Sequence, residues 1–162
     1  MIRAALVAAL LAGGCRASEL SASRAVLDGA AQTNFADLLV AFVPGDGGSA
    51  PEMGELAIGA PDGRSVRLGE GGLLTIGFVA RGVLVDQLGN DVRVHGAIAS
   101  GGTALAYLSS DGVAFRMLGQ LCSLPMELDL ANANSSTARY LRLVAAGNGS
   151  AVDIDAIEVL AQ

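Results

Sequence analysis

Residues 103–120, TALAYLSSDGVAFRMLGQ, hold two runs of alternating polarity on either side of Ser109-Ser110-Asp111-Gly112. An Asp-Gly pair between such runs favours a reversal of the chain, because Gly tolerates positive φ and Asp bonds to nearby backbone N–H groups. The stretch predicts a hairpin with strands Ala104–Leu108 and Val113–Leu118. The same spacing recurs on both sides of it. Short apolar runs alternate with Gly, Pro, Asn and Asp clusters every ten residues or so, which is the signature of an all-β fold.

Working outward, strands are expected from Ala36 to Val43, in RSVRLG (residues 64–69) and in GLLTIGFV (residues 72–79). Two more flank Leu88-Gly89-Asn90, and MELDL, RYLRLVAA and AVDIDAIEVL complete about nine. Gly77 inside a strand suggests a bulge or a close backbone approach. The Pro/Gly-rich residues 44–54 read as a loop, ELAIGAPDG as a short strand or turn, and Ala60–Gly63 as a tight turn. In RYLRLV, Tyr140, Arg142 and Val144 share one face while Leu141 and Leu143 share the other. With no convincing helix after residue 33, the pattern predicts an antiparallel β-sandwich. Pattern alone does not separate a jelly roll from an immunoglobulin-like topology, although the lack of a Cys…Trp…Cys arrangement disfavours an antibody-type domain.

The 162 residues suit one domain. The net charge is −6, and all ten basic residues are Arg. No basic stripe is present to displace the counterions of a duplex, so nucleic acid is not an expected partner.

The first 14 residues are a separate unit. Arg3 precedes a run of Ala, Leu and Val, and Gly13-Gly14 lead to Cys15. A charged start, an apolar core of about 7–15 residues and small residues at a cut site describe an export signal. The run is too short for a membrane span, which needs about 20 residues. LAGGC resembles the lipobox of bacterial lipoproteins, with Leu11 one position further from the Cys than usual. That resemblance implies lipidation of Cys15 and a lipid anchor in the membrane. Plain secretion would instead leave Cys15 able to pair with Cys122, and a hydrophobic N-terminal helix of the domain is the third reading. Residues 15–33 read as a polar tether and 34–162 as the sandwich. Cys122 reads as a free buried thiol.

Six pieces occur in order across residues 35–160: FADLLVAFVPGDG, LAIGAPDGRSVRLGEGGLLTIGF, GVLVDQLGNDVRVHG, YLSSDGVAFRMLG, ARYLRLV and AVDIDAIEVL. Together they resemble a group of bacterial cell-surface proteins with a galactose-binding-like jelly-roll fold. Its departures include Val94-His95-Gly96, where that group carries Val-Phe-Glu. The resemblance implies a structural calcium where an early turn meets the final strand. Asp62 in the Ala60–Gly63 turn, with Asp155 or Glu158, would supply the oxygens such an ion needs. The other reading of these acids is that they guard an exposed strand against edge pairing. On a regular strand Asp153 and Asp155 share a face opposite Ile154 and Ala156, and Glu158 lies at the strand's end or follows a bulge.

Sugar-binding modules of that superfamily stack sugar rings on exposed aromatics. The chain has no Trp, four Phe and two Tyr. Most of these sit in apolar runs and are expected in the core, which leaves Tyr107 and Tyr140 as candidate ligand contacts. No paired nucleophile and base and no zinc-ligand spacing is present, and the single histidine, His95, is expected on a rim or solvent-facing position. The expectation is therefore a non-catalytic, exported module tethered to the cell envelope or outer surface. It would serve in adhesion, in binding a glycan or surface protein, or in structure; the alternative is a carbohydrate-binding accessory domain.

Overall fold

The computed structural model describes residues 34–147, 149 and 151–160. The leader 1–14, the tether 15–33 and Cys15 lie outside the described residues. Eleven strands are described: β1 (Leu38–Val43), β2 (Val66–Leu68), β3 (Leu73–Gly77), β4 (Leu84–Val85), β5 (Val92–Ile98), β6 (Thr103–Ser109), β7 (Arg116–Leu121), β8 (Met126–Leu128), β9 (Thr137–Ala138), β10 (Tyr140–Ala146) and β11 (Val152–Val159). Among the described residues, no helix is long and apolar enough to cross a membrane.

Two sheets form the sandwich. One has five strands in the order β1-β3-β10-β6-β7, and the other has four in the order β2-β11-β5-β8. All pairings are antiparallel, and β4 and β9 form a separate ribbon at one end. Sequence neighbours such as β10 and β11 fall in different sheets, so the chain repeatedly crosses between layers. That is the jelly-roll arrangement, not an up-and-down one.

The period-2 pattern supplies the core. Leu141 and Leu143 are fully buried while Tyr140, Arg142 and Val144 are half-buried on the other side, as the sequence predicts. Across the four-stranded sheet, Val66, Leu68, Val94, Ile154 and Ile157 meet them with no exposed surface. Each large aliphatic side chain buried in this way contributes about 1.5–3 kcal/mol against the unfolded chain.

Several local expectations shift. The first strand begins at Leu38 and not Ala36. The N–H of Ala36 donates to Ile157 O, and Phe35 bridges Glu158, so the chain starts on the four-stranded sheet before it crosses to the other. Residues Pro51–Ala57 form a short 3-10 helix instead of loop and strand, with Pro at its first turn and Gly54 and Ala57 buried. A second short 3-10 helix, Leu130–Ala133, is capped by the Asp129 carboxylate, which accepts the Ala131 N–H. The β6–β7 turn is longer than predicted, because Asp111 Oδ1 accepts the N–H groups of Val113 and Ala114 and holds them out of the strand. Cys122 is exposed and free, not buried: it follows Leu121, the last residue of β7, as the chain leaves the sheet.

Candidate functional site

The two outer faces of the sandwich differ in chemistry. On the four-stranded sheet, paired residues form rows of opposite charge. Glu158, Arg93 and Glu127 lie side by side on β11, β5 and β8, and Arg93 bridges both acids. The Arg93 guanidinium, with Asn90 adding a further bond, holds the Glu127 carboxyl below its ordinary range. His95 Nε2 lies 2.9 Å from Glu158 Oε2, half-buried as a rim position would be. Arg67 grips both oxygens of Asp153 at 2.8 and 2.9 Å. Beside them a cleft of about 420 Å³ is lined by Gly63, Ser65, His95, Pro125, Asp153 and Asp155. The charges of this face are largely spent on one another.

The five-stranded sheet presents three outward rows that follow from its register. Leu38, Gly77, Tyr140 and Ser109 form the first. Ala41, Thr75, Arg142, Tyr107 and Met117 form the second, across all five strands. Val43, Leu73, Val144, Leu105 and Gln120 form the third. This face is apolar and aromatic where solvent would favour charge. Val43 and Met117 are 54% and 52% exposed. Phe115, just before β7, lies over the guanidinium of Arg142 with 3.6 Å from the guanidinium carbon to the ring centroid.

The structure places Tyr107 and Tyr140, the two candidate ligand contacts, on one face and on neighbouring strands beside Arg142. Tyr107 is directly opposite Arg142, and Tyr140 is two residues before it on the same strand. Tyr140 is seated between two glycines. A Cβ at Gly77 would lie 3.4 Å from its ring and one at Gly112 would lie 3.3 Å away. The close approach expected at Gly77 is thus to a side chain; the bulge lies in β1, at Val40 between Leu39 and Ala41. A second bulge, in β7, turns Leu118 into the core and leaves Met117 outward beside Tyr107.

Sequence reasoning missed Phe115 and Arg142. Phe115 lies in an apolar run and reads as core, yet it is half-exposed because the Asp111 loop ends before it. Arg142 carries the right face assignment in the sequence, but nothing local places an aromatic ring over it. At the hairpin end of the same sheet, a polar cleft of about 360 Å³ is lined by Ser109, Asp111, Arg116, Asn134, Ser136 and Thr137, among others. Arg116 Nη1 donates to Asn134 O there.

The acids assigned to calcium are divided between two arrangements. Asp155 accepts the backbone N–H of Asp62 at 3.2 Å and of Gly63 at 3.1 Å, one on each oxygen. Asp62 Oδ1 accepts the N–H of Arg64 and so closes its own turn. Early turn and final strand do meet, through hydrogen bonds. Glu158 instead joins the Arg93 and His95 row. Asp155 is the extra residue of a bulge in β11, so Glu158 follows a bulge, one of the two placements expected. β11 lies between β2 and β5, so these acids do not guard a sheet edge. Among the described residues, the carboxylates of Asp86, Asp91 and Asp129 approach one another within 4.8 Å, a group that could hold a metal ion. Both oxygens of buried Asp91 already accept backbone N–H groups, from Gln87 and Leu130. Asp86 and Asp91 lie in the loop between β4 and β5 and Asp129 follows β8, so the group forms only where two loops meet.

No protein-family model matches the chain, and no curated protein matches it. Solved structures do resemble it. The C-terminal domain of a chitobiase from Bacteroides fragilis aligns over 83% of this chain and 98% of its own length, at 18% identity and a TM-score of 0.50. The CBM32 of AlyQ, in complex with 4,5-unsaturated mannuronic acid, covers 78% of this chain and 98% of its own, at 18% identity and a TM-score of 0.48. Chitosan-binding module 1 of a chitosanase/glucanase from Paenibacillus sp. IK-5 covers 80% and 97%, at 15% identity and a TM-score of 0.48. The feature shared with the chitobiase domain is the fold, a jelly-roll β-sandwich.

Proposed function

We propose that the protein is a non-catalytic glycan-binding module whose ligand lies on the outer face of the five-stranded sheet. One observation carries this reading: Tyr107, Phe115 and Tyr140 lie near Arg142 on a face whose other residues are mostly aliphatic, with Thr75, Ser109 and Gln120 among them. The apolar faces of sugar rings pack on aromatic side chains, and the polar cleft at the hairpin end offers hydroxyl, amide and carboxylate partners for sugar hydroxyls. The fold shared with the C-terminal domain of a chitobiase agrees with it. Of the two readings open in the sequence, this favours the carbohydrate-binding accessory domain over a purely structural module.

A glycan array followed by titration calorimetry tests the proposal. Saturable binding to a defined glycan, lost in Tyr107→Ala, is the expected result. Absence of binding across neutral and charged glycans alike would overturn it. Attachment to the cell envelope through Cys15 belongs to the same proposal and rests on the leader motif. The intact mass of envelope-extracted protein checks it, with a diacylglyceryl increment on Cys15 as the expected result.

A further inference from the structure

We infer that the ligand of this face is an anionic glycan, whose carboxylate or sulfate group pairs with Arg142. The inference rests on the glycan-binding reading and names its ligand class. Arg142 occupies the centre of the middle row, half-buried, with Thr75 on one side and Tyr107 on the other. Its Nε donates to Thr75 Oγ1 at 3.0 Å, and Thr75 itself is 1% exposed. Phe115 covers the guanidinium. Ring and hydroxyl together fix the plane of the fork.

Among the described residues no carboxylate forms an ion pair with Arg142, and Asp111 in the hairpin cleft accepts N–H groups of its own loop. The four ion pairs described there involve Arg67, Arg93 and His95 with Asp153, Glu127 and Glu158, all on the outer face of the other sheet. A chain of net charge −6 has acids to spare, yet none is paired with this half-buried cation. Taking a guanidinium partly out of water without a counter-charge is costly, and an incoming anion removes that cost. A guanidinium has five donors, and Thr75 takes one. The planar fork matches a carboxylate or sulfate through two parallel bonds, which an uncharged sugar hydroxyl cannot reproduce. Tyr107, opposite Arg142, and Tyr140, two residues before it on the same strand, would hold the ring that carries the charge. Arg116 is exposed at the rim of the hairpin cleft, beside the carboxylate of Asp111.

Titration of the full chain with four probes decides the matter: an oligogalacturonate, its fully methyl-esterified form, a sulfated galactan oligomer and the same galactan without sulfate. The expected result is at least tenfold tighter binding of one charged oligomer than of its neutral counterpart, weakening as salt is raised. Preference for the oligogalacturonate identifies a carboxylate ligand, and preference for the sulfated galactan a sulfate ester. Arg142→Gln should remove the preference, while Arg142→Lys, which keeps the charge, should retain part of it and controls for folding. Equal affinity for charged and neutral members of both pairs would overturn the inference and leave the glycan-binding reading intact. Absence of binding to both charged oligomers would also overturn it; neutral glycans on the array then judge the broader reading.

Discussion

The carboxylate of Asp155, in the middle of the last strand, accepts the backbone N–H of Gly63 across 92 residues of sequence, at 3.1 Å. Its other oxygen accepts the neighbouring N–H of Asp62. The pair of bonds ties the early turn to the final strand. Asp155→Ala gives two exposed turn N–H groups over to water and should cost about 0.5–1.5 kcal/mol, read as a lower thermal midpoint. The loss should be the same size with and without EDTA. A loss that disappears in EDTA would show that a metal held by Asp155 makes the link.

The bulge that creates this contact depends on Gly96. Its φ is 144°, and a Cβ there would lie 1.9 Å from the carbonyl oxygen of Asp153. No flexible side chain can yield, because the obstacle is backbone of the central strand. Gly96→Ala should destabilise by more than about 2 kcal/mol, as expected of strain at a special backbone position. Denaturant titration checks this. A near-neutral result would mean that the β5–β11 register is not as described.

Acid should loosen the β6–β7 loop before it affects the sheets. The Val113 and Ala114 N–H groups, with the Ser109 hydroxyl, hold the Asp111 carboxyl below its ordinary value of 3.8. A carboxylate depressed in the folded state stabilises above its unfolded pKa, and that stability is lost as pH falls through the lower folded value. The expected window therefore lies below about 4. The protection of the Val113 and Ala114 amides, relative to the unstructured exchange rate at the same pH, should fall there in the native protein. In Asp111→Ala, which removes the acceptor oxygen, it should be low already at neutral pH, with little further change.

Tyr107→Ala separates binding from folding. The side chain is half-exposed on the outer face, so its removal should cost about 1 kcal/mol of stability or less. Glycan affinity should fall at least tenfold, which corresponds to about 1.4 kcal/mol. Tyr140→Ala should weaken binding too but cost more stability, because that ring also covers Gly77 and Gly112. Equal loss of binding and folding in Tyr107→Ala would place the ring in the fold and not in the site.

The alternation in RYLRLV is legible because a strand repeats every two residues, so facing is a local property. The same reasoning finds Tyr107 and Tyr140 as outward-facing candidates. It fails for Phe115, whose exposure depends on where the Asp111 loop ends and the strand begins. It also fails for Pro51–Ala57, where Pro and Gly suggest loop but buried Gly54 and Ala57 pack a short helix on the core.

The sequence by itself determined the strands, their inner and outer faces and the all-β class, because hydrophobic period and turn chemistry act over a few residues. Which distant residues meet was decided by the tertiary structure alone. The order β1-β3-β10-β6-β7 sets Thr75, Arg142 and Tyr107 in one row. The bulge at Asp155 sends that acid to the turn of Gly63 and Glu158 to Arg93. Pairing between strands is fixed by the burial of both inner faces at once, a condition on the whole sandwich that no single stretch of sequence contains.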